Sequence, residues 1–200
     1  MVKNLLFDLG GVIMDIRREN CEQAFRELGM ECIGDYLGDY GQKGPFAELE
    51  EGMITEQEFR DRVRALIPRE VTDEEIDRAF NRFLTGIPVK RLEKLRCLRK
   101  DYRLYLLSNT NSIMWRQDIA KYFRQEGREL DDYFDGIVTS FEAKCCKPDP
   151  AIFRRVTDKF GILPEETVFF DDSKANVEAA AKLGFGTRHV APGTEFYELL

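Results

Sequence analysis

The chain has 200 residues, 43% hydrophobic and 34% charged, with a formal net charge of −7. That length holds one well-packed domain with a small insertion, and the composition is that of an ordinary globular protein. The acidic balance and the lack of a basic tract exclude the clustered Lys and Arg with which a nucleic-acid backbone or an anionic membrane is bound.

No apolar run approaches 18 residues, and Met1-Val2-Lys3 leads straight into a short strand-like run rather than a signal peptide. The expected location is therefore cytoplasmic, with no membrane partner. Five cysteines without CxxC spacing read as reduced thiols, Cys145-Cys146 included, rather than as a disulfide framework or a zinc site.

In chain order, the apolar run Val2 to Phe7 breaks at Asp8 into Leu9-Gly10-Gly11-Val12-Ile13, a buried strand ending on a carboxylate. Residues 17 to 87 then read as helix throughout, with no strand signal. Glu19 to Leu28 closes on Gly29, and Thr55 with Glu58 and Thr72 with Glu75 form capping boxes ahead of two further helices. Glu50-Glu51-Gly52-Met53-Ile54 reads as a loop between helices that Gly52 brings down over the site, with Glu51 a candidate for substrate contact. Arg60 and Arg64, one turn apart, read as a solvated face.

From Pro88 the pattern alternates: helix 88–100, strand 103–108, helix 112–123, strand 136–139, helix 150–160, strand 167–170, helix 173–183 closed by Gly184, and a last strand at 187–190. Strands separated by helices imply right-handed crossovers and a parallel sheet of five or more strands, an α/β fold. The expected organisation is a core of residues 1–16 and 88–200, with residues 17–87 inserted after the first strand as a helical cap that hinges near Ile16 and Ile87.

The strand-ending residues carry the chemistry, because open α/β sheets place their sites at the carboxyl edge. Asp8 is a candidate nucleophile toward a phosphate monoester. Attack by an anion on a dianion demands positive charge, so Asp171 and Asp172 are expected to supply oxygens to a hard divalent cation, and Lys147 a fixed positive charge. Ser108 and Asn109 are expected to hold phosphoryl oxygens, and the backbone N–H groups of Gly10 and Gly11 to approach them closely. Singly, each has a plainer reading: Asp8 as a turn, Lys147 as a loop lysine, Ser108-Asn109 or Asp171-Asp172 as helix starts, with Asn111 or Ser112 capping the helix that follows. Their joint occurrence favours the site. His189, the one histidine, and Trp115 read as structural.

Four segments, Phe7-Asp8-Leu9-Gly10-Gly11-Val12, Leu107-Ser108-Asn109-Thr110-Asn111, Cys146-Lys147-Pro148-Asp149-Pro150 and Phe169-Phe170-Asp171-Asp172-Ser173, resemble in order and spacing the motifs of the haloacid dehalogenase superfamily. The resemblance implies a Rossmann-like core with strand order 5-4-1-2-3, an inserted cap and Mg2+. It implies Asp8 as nucleophile and metal ligand, the carbonyl of residue 10 and Asp172 as further metal ligands, and Asp171 acting behind them or through water. The wording is most similar to the branch of small sugar-phosphate phosphatases, so the expected substrate is a small phosphorylated metabolite such as glucose 1-phosphate.

The chain departs from that pattern at Gly10, where most phosphatases of the family carry a second Asp as general acid and base. An anomeric phosphate, whose leaving group departs readily, would tolerate the loss. Asp15 is the nearest stand-in carboxylate. The same gap is shared by 2-haloacid dehalogenases, which displace halide without metal, and a weakly catalytic phosphometabolite-binding module is a third reading. A dehalogenase gains nothing from three concentrated carboxylates that repel one another without a cation, so a phosphatase is the expectation.

Overall fold

The computed structural model describes residues 1–38 and 40–200. Asn4–Phe7 forms β1, covered on both faces, as suits a strand whose apolar residues run without alternation. It is followed by β2 (Asp15–Ile16), then α1 (Arg18–Leu28), α2 (Gly44–Glu50), α3 (Glu56–Arg64), α4 (Asp73–Asn81) and β3 (Leu84–Gly86). The second half comprises α5 (Val89–Leu98), β4 (Arg103–Ser108), α6 (Ser112–Met114), α7 (Ala120–Phe123), β5 (Gly136–Thr139), α8 (Ser140–Ala143), α9 (Pro150–Phe160), β6 (Thr167–Asp171), α10 (Lys174–Lys182) and β7 (Gly186–His189). No helix among the described residues is long and apolar enough to cross a membrane.

The main sheet is parallel, with order β5-β4-β1-β6-β7. Numbered among the sheet strands alone and read from the β7 edge, that is fifth, fourth, first, second, third, as the resemblance implied. Phe7 lies in register between Leu106 and Phe170. The polar residues that follow these three apolar runs therefore leave the sheet at one edge. Leu5, Phe7, Leu106 and Phe170 pack on one side of the sheet, while Leu6, Tyr105, Leu107 and Phe169 pack on the other against Ile152 and Phe153 of α9.

The first of these layers continues without a break into the insertion between β2 and β3. There Phe46 is the hub of an aromatic cluster, 5.6 Å from Phe25, 5.0 Å from Phe59 and 5.1 Å from Phe80 between ring centroids. Edge-to-face pairs of this kind each contribute about 0.5–1.5 kcal/mol beyond their buried area. Both capping boxes form, at Thr55 with Glu58 and at Thr72 with Glu75, and Gly29 closes α1 in the left-handed conformation.

Three expectations need correction. Residues 17–87 are not helical throughout: Leu84–Gly86 forms β3 and pairs antiparallel with β2, so the two chain crossings near Ile16 and Ile87 are zipped together. A three-residue strand carries too little pattern to be read beside an amphipathic helix. The helix expected over 112–123 is interrupted by a π-helical turn, Trp115–Ile119, which places Gln117 against Asp77 of α4 at 2.6 Å and Asn81 at 2.9 Å. Arg60 is not a solvated side chain but a bidentate partner of buried Asp77, at 2.9 and 2.7 Å, tying α3 to α4.

Candidate active site

Asp8 stands one residue beyond β1, its N–H held by the Phe170 carbonyl of the neighbouring strand. Its Oδ1 accepts from the Leu9 N–H at 2.7 Å and from Lys147 Nζ at 2.7 Å, which orients the carboxylate. Lys147 is fully enclosed, with Nζ also 2.8 Å from Asp171 Oδ2. An ammonium at this depth persists only with such partners. Burial alone would lower the Lys147 pKa, and the carboxylates of Asp171 and Asp8 reverse that and raise it.

Asp171 ends β6 with no exposure at all. Its Oδ1 accepts from the Ser173 N–H at 2.8 Å and Asn176 Nδ2 at 3.0 Å, and its Oδ2 from Lys147 and again from Asn176 at 3.2 Å. Protein donors thus saturate it, and its role is to hold Lys147 rather than to offer a free oxygen to an ion. Asp172, one residue on, turns the opposite way and faces a cavity of about 110 Å³. At roughly 10–15 Å³ for each enclosed water, that space suits a small metabolite.

Asp8, Gly10, Ser108, Asn109, Lys147 and Asp172 all line this cavity, so six sequence-predicted residues from four separate segments meet there. One oxygen from each of Asp8, Asp171 and Asp172 lies within 4.8 Å of the others. Burial raises the Asp8 carboxyl to about 7, with Lys147 pulling it down and Asp171 and Asp172 pushing it further up. Asp172 rises to about 6 by burial and by the charge of Asp171. The carboxylates of the site are thus short of positive charge.

Two of the expected phosphate contacts are otherwise engaged. Asn109 Nδ2 donates to the Lys147 carbonyl at 3.0 Å and its Oδ1 accepts the Lys147 N–H at 2.8 Å, so the amide fixes the lysine's backbone. The Gly11 N–H donates to the Met14 carbonyl at 2.9 Å, and the residue is not among those that line the cavity. What Gly11 supplies is room: at φ +73° it adopts a conformation that favours glycine, and a Cβ there would run into the Asp172 carboxylate.

Other candidates move as well. Asp15 is no stand-in acid, since its carboxylate turns out toward Arg91 Nη1 at 2.7 Å and is half exposed. His189 is structural but adjoins the acidic pair: it lies in register with Asp171, and its Nε2 is 2.8 Å from the Asp172 carbonyl. Asn111, rather than Ser112, caps the following helix. Trp115 packs partly buried against the core. The Cys146 thiol is pushed up to about 12 by burial, consistent with an unreactive cysteine.

The insertion supplies the other wall, with Phe80, Phe83 and Leu84 beside Tyr40, Gln42 and Glu50. The Gly52 carbonyl accepts from Lys144 Nζ, which fastens the loop after α2 to the core, and it is Glu50 rather than Glu51 that faces the cavity. Sequence reasoning missed Tyr40 and Gln42 because no motif surrounds them, and it brought the Glu50 segment over the site but gave the contact to Glu51. Asn176 was also missed, though a polar residue in the first turn after an acidic strand end was a usable signal.

Comparison with known proteins agrees with this geometry. The model of the haloacid dehalogenase-like hydrolases matches residues 2–184. The chain is 38% identical over 200 residues to the D-ribitol-5-phosphate phosphatase of Bacteroides thetaiotaomicron, covering 100% of this chain and 97% of that one. It is 30% identical over 184 residues to a phosphorylated carbohydrates phosphatase of Thermotoga maritima, covering 90% and 81%. The crystal structure of a mutant haloacid dehalogenase family enzyme from Bacteroides thetaiotaomicron, in complex with magnesium and inorganic phosphate, superimposes with a TM-score of 0.96 at 40% identity, over 100% of this chain and 98% of that one. With its motifs gathered at one sheet edge and its whole length shared with these enzymes, the chain belongs to the haloacid dehalogenase-like hydrolases.

Proposed function

We propose that this hydrolase is a magnesium-dependent phosphatase of small phosphorylated carbohydrates, with Asp8 as its nucleophile. The observation that carries the reading is the group of buried Asp8 and Asp171 and half-buried Asp172 beside a single lysine. Three carboxylates and one ammonium leave a deficit of two positive charges, which a divalent cation removes. The donors are all oxygens, which suits a hard ion, and Asp8, Asp172 and the Gly10 carbonyl are the groups that would hold it. When bound, such an ion offsets the charge of both carboxylates and phosphate, leaving Asp8 ionised at neutral pH.

In this reading Asp8 attacks phosphorus and forms an aspartyl-phosphate, which water then cleaves. Lys147 neutralises the phosphoryl oxygens from a position set by Asp171 and by the Asn109 amide, and Ser108 donates to one of them. The insertion, residues 17–87, acts as a cap over the leaving group. Among the described residues lining the cavity, Lys147 is the only cation. A leaving group bearing a second phosphate or a carboxylate would find no partner, whereas a neutral sugar or polyol meets hydroxyl, amide and carboxyl groups on an apolar wall. The names of the two curated relatives support the same class.

The test is phosphate release from a panel including ribitol 5-phosphate and glucose 1-phosphate, with Mg2+ and with chelator, using Asp8→Asn as the blank. Release that depends on both Mg2+ and Asp8 supports the reading. Absence of release from every phosphate overturns it, and halide release from 2-haloacids in chelator would then identify a dehalogenase.

A further inference from the structure

A sugar or polyol that is phosphorylated on a primary carbon leaves as an alkoxide unless a proton reaches its oxygen, and position 10 offers only a glycine. Among the described residues, four other titratable side chains on the cavity wall are poor sources of that proton. Asp8 is the nucleophile and Asp172 faces the cation position. Lys147 is locked between two carboxylates that hold its proton, and Tyr40 sits at the rim, 61% exposed.

Glu50 differs from all of these. It is the last residue of α2 and lines the cavity from the insertion, across from the sheet edge that carries Asp8. In-line displacement sends the departing oxygen to the side of phosphorus away from the nucleophile, which here is toward the insertion. The Gly52 turn that follows α2 is anchored to Lys144 of the core, and a Cβ on Gly52 would collide with the Phe141 carbonyl, so the end of α2 is held close to the site.

We propose that Glu50 is the general acid and base of this enzyme, a role that rests on the phosphatase reading above. As the bond between phosphorus and the leaving oxygen breaks, the Glu50 carboxyl gives its proton to that oxygen and the neutral alcohol departs, while Asp8 takes up the phosphoryl group. Water then attacks phosphorus, one of its protons returns to the Glu50 carboxylate, the acyl bond to Asp8 breaks, and hydrogen phosphate leaves. Burial, reinforced by the neighbouring Glu51 carboxylate, raises the Glu50 pKa to about 8, so the proton is in place at neutral pH.

The experiment compares Glu50→Gln with wild type on ribitol 5-phosphate and on 4-nitrophenyl phosphate, whose leaving group departs without a proton. The expected result with Glu50→Gln is a loss of about 10²- to 10⁴-fold in kcat on ribitol 5-phosphate. On 4-nitrophenyl phosphate a first turnover of normal rate should persist, followed by slow regeneration of the enzyme. Glu50→Asp should restore part of the lost rate. Equal loss of first-turnover rate on both substrates would mean that Glu50 is only structural, and unchanged ribitol 5-phosphate turnover would remove it from the reaction; either overturns the proposal. A wild-type enzyme inert toward every phosphate, 4-nitrophenyl phosphate included, would instead overturn the phosphatase reading and with it this role.

Discussion

On the sheet side of the cavity, Asp8, Lys147 and Asp171 hold one another through contacts of 2.7 and 2.8 Å, and Asn109, Ser173 and Asn176 complete their hydrogen bonding. On the insertion side, Tyr40, Gln42 and Glu50 stand among Phe80, Phe83 and Leu84, and burial and a like charge raise the pKa of the Glu50 carboxyl. The first wall is a hydrogen-bonded polar network of the kind that preorganises charge for a reaction common to all substrates. In the proposed reaction the second wall meets whatever the phosphate is attached to. Substitutions in the first should therefore depress all substrates together, and substitutions in the second should reorder them.

The strongest test of that division is Asp8→Asn, expected to lower turnover by at least about 10⁴-fold on every phosphate while circular dichroism remains unchanged. A variant that spared some substrates would break the comparison. Next in size is Lys147→Met, which leaves two buried carboxylates without their cation. A loss of about 10²- to 10³-fold in kcat is expected, uniform across substrates, together with about 3–5 kcal/mol of stability in urea denaturation. Asp172→Asn should leave the fold intact and raise the Mg2+ concentration for half-maximal activity by roughly 10- to 100-fold, measurable by titrating Mg2+ into the apoenzyme.

The smallest effect is on stability against pH. Asp8, Asp172 and Glu50 have folded-state pKa values of about 7, 6 and 8, all above the value near 4 of an unfolded carboxyl. The folded protein therefore binds protons more tightly, so its stability is greatest below about pH 4 for these groups and is lost as pH rises through 6 to 8. In chelator, Tm should fall between pH 5.5 and 8. Saturating Mg2+ should remove the part due to Asp8 and Asp172 and leave that due to Glu50. A chelated protein whose Tm rises over this range would show that the two walls do not carry the buried negative charge described.

Most of the sheet wall is legible in the amino-acid sequence. Asp8, Ser108, Lys147 and Asp172 each follow an apolar run or a loop with strong local signals, and a parallel sheet brings strand ends to one edge. What a strand end does with its hydrogen bonds is not legible there. Asn109 turns to the Lys147 backbone and Gly11 to Met14, because those partners lie 38 and 3 residues away and are chosen by packing. Asp15 is plausible by its nearness in sequence to Asp8, and Arg91 of α5 draws it outward.

By itself, the amino-acid sequence determined the alternation of strands and helices, the capping boxes at Thr55 and Thr72, the place of the insertion and the set of charged residues at the sheet edge, since these depend on periodicity and on neighbours a few residues apart. The tertiary structure alone decided the pairing of β2 with β3, the saturation of Asp171, the π-helical turn that joins Gln117 to Asp77, and the arrival of Glu50 opposite Asp8, 42 positions away in the chain. These depend on how an apolar insertion seats itself over a finished sheet. Burial and charge at such a meeting of surfaces belong to neither segment until both are folded.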